Sequence, residues 1–288
     1  MAMLWNLPDL CAEGYNGMND FDDLYNDDFE GPEYKRDKKI DEAKDLLFEF
    51  FKTNNRQVFY VKQLEVMFEK KLFHWITSRA LGELVDEGYL GIIERPLSVV
   101  GTRVRFLFNK KNRYYKRQIK KSIGVIREYS EYTIARACGE QADLLFFNAL
   151  VSKGFVSHGE DTNKYKDRRW LATNHNLDFI IEKDSIVYGC EVKNTFAYIE
   201  RDEFSIKLQI CEYLGIKPLF ILRGSPKTYN FEVIKKGGYV VIFEKQIYPF
   251  GHEKLVKRIT EVLGMPVDCP RKIPDGIIER FIRWHSKG

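Results

Sequence analysis

Apolar residues first fall into a helical rhythm at Lys38. Ile40, Ala43, Leu46, Leu47 and Phe50 recur three and four positions apart, which predicts an amphipathic helix to about Lys52. Leu64, Met67, Phe68 and Leu72 predict a second helix within VFYVKQLEVMFEKKL. Ile76, Leu81, Leu84 and Val85 predict a third, with Gly88 as its stop. The period then changes to alternation in YLGIIERPL and TRVRFLFNK, two strands separated by Pro96 to Gly101.

A second patterned region begins near Gly139. Ala142, Leu145, Phe146, Ala149 and Leu150 share a helical face, closed by Gly154. LDFIIEKD and VYGCEVKNT read as two strands joined at Asp184 and Ser185, and EFSIKLQICEYLGI as an amphipathic helix ending at Gly215. PLFILRG and GGYVVIFEKQIY read as strands, and GHEKLVKRITEVLG as a helix. The order α-β-β-α-β-β-α predicts an α/β fold, with a mixed central sheet flanked by helices.

At 288 residues the chain has room for roughly two domains of about 150 residues each. Its 44% hydrophobic content supplies cores for both. No apolar run approaches a membrane span and Met1–Leu10 lacks a signal-peptide pattern, so the expectation is a cytoplasmic protein with no membrane partner. Five scattered cysteines without a C-x-x-C pair argue against a zinc ribbon or an iron–sulfur cluster and suit a reduced cytosol. His158, His175 and His252 lack ligand spacing. No phosphate-binding P-loop, dinucleotide fingerprint or G-x-S-x-G occurs, so no small-molecule organic cofactor is expected.

Charge is unevenly distributed. Residues 1–34 hold nine acids and no Lys or Arg, reading as an acidic, poorly ordered tail. The other 254 residues hold 46 basic and 33 acidic side chains, a net of +13 against +4 for the whole chain. The densest stretch carries Lys110, Lys111, Arg113, Lys116, Arg117, Lys120 and Lys121 around Tyr114 and Tyr115, with no acid. Such density suits phosphates, and tyrosines can stack on unpaired bases. Lys164, Lys166, Arg168 and Arg169, interleaved with Tyr165 and Trp170, form a second basic stretch just before Asp178; a plain polar loop is the alternative.

Three helices followed by two strands, with the L-x-x-L-V-D-E-G-Y-L ending of the third helix, resemble the winged helix-turn-helix family. The resemblance implies DNA contact through His74, Trp75, Thr77, Ser78 and Arg79 of the third helix and Arg103 and Arg105 of the wing. Many winged helices instead bind protein or space domains apart.

Asp178 lies on the first strand of the second region, and Glu191 and Lys193 on the next. Residues two apart on a strand point the same way, so Glu191 and Lys193 share a face while Val192 enters the core. Two converging carboxylates call for a cation between them, and oxygen ligands suit Mg²⁺ or Mn²⁺. This pattern resembles the PD-(D/E)xK nuclease superfamily over about residues 136–265, with Leu177 where the motif has proline. The resemblance implies a divalent-metal-dependent endonuclease. Asp178 and Glu191 would be its metal ligands, and Lys193 would act near the scissile phosphate. Glu140, at the opening of the preceding helix, matches a further metal-associated glutamate of Holliday-junction-resolvase-like members. Gln209 and Tyr213 resemble a Q-x-x-x-Y motif, the Gln positioning the catalytic groups and the Tyr touching the substrate backbone.

The expected layout is therefore a tail (1–34), a winged helix (35–109), a basic linker helix (110–135), a nuclease domain (136–265) and a C-terminal helix (266–288). DNA is the expected partner, with a homodimer suited to two-strand cutting. The alternatives are a non-cutting DNA-binding regulator or recombination scaffold, and an RNA nuclease.

Overall fold

The computed structural model describes residues 37–97 and 102–287. The acidic segment 1–34 and most of the turn between the first two predicted strands lie outside the described residues. The chain divides into two compact units at Ile119/Lys120.

The first unit contains α1 (Lys38–Thr53), β1 (Val58–Tyr60), α2 (Val61–Phe68), α3 (His74–Asp86), β2 (Leu90–Pro96) and β3 (Arg103–Asn109). α4 (Tyr115–Tyr129) starts in this unit and continues past the division. Asp37 caps α1 by accepting from the Lys39 N–H at 2.9 Å. Ala43, Leu47 and Phe51 of α1 pack with Leu64 of α2 and with Ile76, Ala80, Leu81 and Leu84 of α3. The sheet order is β1-β3-β2, antiparallel throughout. The second helix is shorter than its pattern predicts. Val58–Tyr60 are instead a strand paired with Phe106–Phe108, and Met67 of α2 is exposed rather than in the core.

The second unit opens with α5 (Tyr132–Val151), β4 (Val156–Thr162), β5 (Lys164–Tyr165), β6 (Arg168–Arg169), β7 (Leu177–Lys183), β8 (Ile186–Lys193) and α6 (Arg201–Leu214). It continues with β9 (Lys217–Leu222), α7 (Lys227–Lys235), β10 (Tyr239–Ile242), β11 (Gln246–Ile247), α8 (Glu253–Leu263), β12 (Val267–Asp268) and α9 (Asp275–His285). This is a mixed α/β arrangement: a five-stranded sheet ordered β10-β9-β8-β7-β4 and flanked by helices. β8, β9 and β10 run parallel, while β7 is antiparallel to β8 and β4 to β7.

Period-two alternation sorts the strands onto two faces. Phe179, Ile181, Cys190, Val192, Leu219 and Ile221 face α5 and α9. Ile180, Phe220 and Leu222 share the opposite face with α6 and α7. The 266–288 region therefore supplies part of the core, through Ile278 and Phe281 of α9.

Four local departures from the sequence pattern have plain causes. β4 reads as a polar stretch because it is an edge strand with mostly exposed side chains and a bulge at Ser157/Gly159. α7 has one buried residue, Val233, too few to show a periodicity. Glu244, at φ 63°, breaks the long predicted strand between β10 and β11. The predicted basic linker helix is two helices, because Glu131 is extended (φ −60°, ψ 135°) and starts α5 there. Glu140 is consequently mid-helix and does not open it.

Candidate functional site

The β7–β8 ladder ends at Phe179↔Cys190, one residue short of Asp178. There the Asp178 carboxylate takes over from the ladder: its Oδ2 accepts the Val192 N–H at 2.6 Å. Glu191 follows Cys190 on β8 and is buried on the α6 face, so both carboxylates stand at the same end of the strand pair.

α6 brings an ammonium to them. The buried Lys207 Nζ donates to Glu191 Oε2 at 2.5 Å and to the Asn176 carbonyl at 2.5 Å. The helix lies this close because residue 189 is glycine. A Cβ there would meet Leu177 Cδ1 at 2.7 Å, Cys211 Sγ at 2.8 Å and Ile216 Cδ1 at 2.9 Å. Lys193, two residues beyond Glu191, is held by both Glu203 oxygens of α6 at 2.9 and 2.8 Å.

Burial pushes the Glu191 carboxyl well above the usual carboxylate range, and the Asp178 charge adds to this while Lys207 opposes it. Asp178 is also raised by burial, against the pull of Lys207 and the Val192 N–H. For Lys207 burial works downward, but Glu191 and Asp178 outweigh it and raise the ammonium. A third carboxyl, one that no sequence motif marks, feels the charge of Asp178. Asp143 of α5 is half-buried and pushed up to about 7 by desolvation and by the charge of Asp178. Its only sequence cue is its place one turn after Glu140.

The chain leaving Lys193 is tightly held. Asn194 Nδ2 donates to the Cys138 and Ile247 carbonyls at 2.8 and 2.7 Å, and its Oδ1 accepts the Ile247 N–H at 2.8 Å. The buried Arg223 donates from Nε to the Thr195 carbonyl and from Nη2 to that of Phe196. Its own N–H reaches the Lys193 carbonyl at 3.0 Å. The strand end that carries Glu191 and Lys193 is thus fixed from α5, β11 and β9.

Other sequence-selected residues are placed differently. Glu140 is exposed, and its carboxylate accepts from Arg136 at 2.7 Å. Gln209 is exposed. Phe204, Lys207, Leu208 and Cys211 form the inward face of α6, and a residue two positions from Lys207 lies about 200° around the helix. Gln209 does not reach the carboxylates, and Lys207 takes the inward position assigned to it. Tyr213 is half exposed, edge-on to Trp170 at 5.7 Å. Arg168 donates to the Tyr213 carbonyl at 3.1 Å and so serves the C-terminus of α6, while Arg169 is exposed.

In the first unit, His74 and Thr77 are buried rather than offered to a groove, and Ser78 donates to Glu65. Burial also lowers the His74 pKa, against the pull of Glu69. Trp75 is exposed, and Arg79 pairs with Glu83 at 3.5 Å. Arg103 and Arg105 both pair with Glu94, at 2.9 and 3.2 Å. Lys110, Lys111, Arg113, Lys116, Arg117, Lys120 and Lys121 are all exposed, and none forms an ion pair among the described residues. Tyr115 stacks on Phe108 at 4.3 Å and is not free to receive a base, whereas Tyr114 is 75% exposed.

The donor pair of Asp178 and Glu191 is all carboxylate oxygen, without sulfur or imidazole. That is the chemistry of a hard divalent ion. Among the described residues no three His, Cys, Asp or Glu side chains are gathered into a metal-ligand cluster. A Mg²⁺ or Mn²⁺ ion would therefore rest on Asp178 and Glu191 and take its remaining ligands from water or substrate. Among the described residues no helix is long and apolar enough to cross a membrane. No family model matches the chain, and no curated protein or solved structure matches it.

Proposed function

We propose that the chain is a divalent-metal-dependent DNA endonuclease. The second unit would be a catalytic core of the PD-(D/E)xK type, and the first a winged-helix module for docking on DNA. The observation that carries this reading is the meeting of Asp178, Glu191 and Lys207 at the open end of the β7–β8 ladder. A buried Glu191 beside a half-buried Asp178, both with raised pKa values, is costly to keep unless a cation compensates them.

In this reading Asp178 and Glu191 bind the ion, and the Val192 N–H holds the Asp178 carboxylate in place. When bound, the ion polarises a phosphate oxygen and makes a coordinated water more acidic. Lys207 holds the Glu191 carboxylate, and Lys193 puts positive charge beside the place where a phosphate gains negative charge. Asn194 and Arg223 fix the strand end and so the relative position of these groups. The seven exposed cations between Lys110 and Lys121 supply the phosphate-binding surface, and Tyr114 a stacking ring.

The buried Lys207–Glu191 pair also favours a second reading, a DNA-binding scaffold in which the ammonium has permanently replaced the ion. One experiment separates the two. Purified chain is incubated with plasmid and branched DNA in Mn²⁺ or Mg²⁺, with EDTA and Glu191→Gln as controls. Metal-dependent cleavage lost in both controls supports the nuclease. Tight DNA binding without cleavage in either metal supports the scaffold.

A further inference from the structure

Two lysines lie near the paired carboxylates, and their surroundings differ. Lys193 comes from the strand motif, but its ammonium is taken up by both oxygens of Glu203 at 2.9 and 2.8 Å. Lys207 comes from α6. It contacts Glu191 directly, its field reaches Asp178 and Asp143, and it is buried. Glu203 holds the Lys193 ammonium, which leaves Lys207 as the one in direct contact with Glu191.

A buried lysine is an expensive way to fill space. An apolar pair of similar volume is often as stable as a buried ion pair or more so, because both charges lose their hydration. The surroundings could accept such a pair, since Leu208, Ile210 and Cys211 of α6 already pack in apolar clusters on this face. Stability alone therefore does not account for an ammonium here. Its placement does: the Nζ touches the carboxylate oxygen that an incoming divalent ion would need, and the Asn176 carbonyl anchors it from the other side. Both of Lys207's hydrogen bonds are thus made beside the carboxylate pair.

We propose that Lys207 is the internal countercation of this site, neutralising Glu191 when no metal is bound and competing with the divalent ion for the same carboxylate oxygen. This rests on the nuclease reading above and adds a regulatory element to it. The site stays charge-compensated and folded without metal, and metal binds only as tightly as its advantage over the ammonium allows. Lys207 is here a positioning residue, acting through Glu191.

The test titrates Mn²⁺ alone into metal-free, full-length protein and reads the dissociation constant and the thermal midpoint with and without Mn²⁺. Lys207→Met keeps the apolar stem and removes the charge. It should bind Mn²⁺ at least tenfold more tightly than wild type, melt lower in chelator and recover most of that loss when Mn²⁺ is added. Lys207→Gln keeps a hydrogen-bond donor for Glu191, so it reports in the same direction if the Met variant does not fold. Lys207→Arg, which keeps the charge, should stay within threefold of wild type. Unchanged Mn²⁺ affinity in both neutral variants, with binding still lost on Glu191→Gln, would overturn the countercation role and leave the metal site standing. No Mn²⁺ binding to any variant, or binding indifferent to Glu191→Gln, would overturn the metal reading and this proposal together.

Discussion

Asp178 Oδ2 accepts the Val192 N–H at 2.6 Å, so one carboxylate closes the ladder that its own strand has left. The contact ties the orientation of Asp178 to the residue between Glu191 and Lys193. A side chain on β7 and two on β8 are therefore positioned by one hydrogen bond, at the point where the regular sheet pairing stops. Function at this end of the sheet should depend on the charge of Asp178, and its geometry on the acceptor.

Asp178→Asn retains an amide oxygen that can still accept from Val192, but it removes the negative charge. The expected outcome is a near-native thermal midpoint with metal-dependent cleavage reduced by about two to three orders of magnitude or more. DNA affinity in EDTA should change little, because the carboxylates are not phosphate contacts. Cleavage assays paired with binding isotherms check both halves, and wild-type turnover in Mg²⁺ would reject the assignment.

The α6 register leads to a contrast between two neighbours. Gln209→Ala should leave cleavage within about threefold of wild type, since the side chain is exposed and faces away from Glu191. Lys207→Ala should be severe for stability as well as activity. It strands a buried carboxylate, a class of change that costs about 3–5 kcal/mol. Chemical denaturation of the two variants side by side distinguishes them.

This contrast also shows where sequence reading succeeds. The strands carrying Asp178 and Glu191 were legible because alternation over seven or eight residues sets which side chains share a face. That logic places Glu191 with Lys193 and sends Val192 to the core, as observed. Helical register in α6 was harder, because Q-x-x-x-Y names two residues on one face without saying which face turns inward. Lys207 was overlooked because a lysine in an amphipathic helix reads as solvent-facing, and only the close approach at Gly189 makes burial possible. Asp143 carries no motif cue: Glu140 is exposed on α5, while Asp143, three residues on, is half-buried and feels Asp178. The polar edge strand β4 carried no alternation to read.

Gly189→Ala tests that close approach directly. The added methyl meets three side chains at 2.7–2.9 Å, all within apolar packing between β8 and α6. Overpacking of this kind typically costs about 1–3 kcal/mol. A denaturation midpoint equal to wild type would mean that α6 moves outward freely, and the Lys207–Glu191 contact should then loosen with it.

Asp143 gives a pH signature. Its carboxyl is pushed up to about 7 in the folded chain from the ordinary aspartate value of 3.8. Between those values the folded state holds a proton that the unfolded state has released. Stability therefore falls as pH rises through this window. The contribution is fully present below about pH 4 and is lost on passing pH 7. Asp143→Asn removes it, so in chelator the variant should gain stability relative to wild type from pH 4 to 7 and then level off. Parallel unfolding curves across that range would show that Asp143 is not perturbed.

The exposed basic run makes the last prediction, and it turns on which cations are already neutralised. Arg103 and Arg105 share Glu94, so replacing Arg103 by Gln removes one charge but also releases the carboxylate toward its neighbour. Lys110, Lys111, Arg113, Lys116 and Arg117 have no carboxylate partner among the described residues, and each is exposed. If these five lie on phosphates, each contributes close to 0.9 to the slope of log K against log salt on duplex DNA. Changing all five to Gln should then flatten that slope by about 4.5 and weaken binding most at low ionic strength. Arg103→Gln should shift the slope by less than about 1. Lys116 and Arg117 lie on α4, where Gln is a good helix former, and all the replaced side chains are exposed, so the thermal midpoint should move little. Affinities measured at several salt concentrations, on one duplex and for all three proteins, decide the matter. An unchanged slope in the five-fold variant would move the DNA surface away from this run.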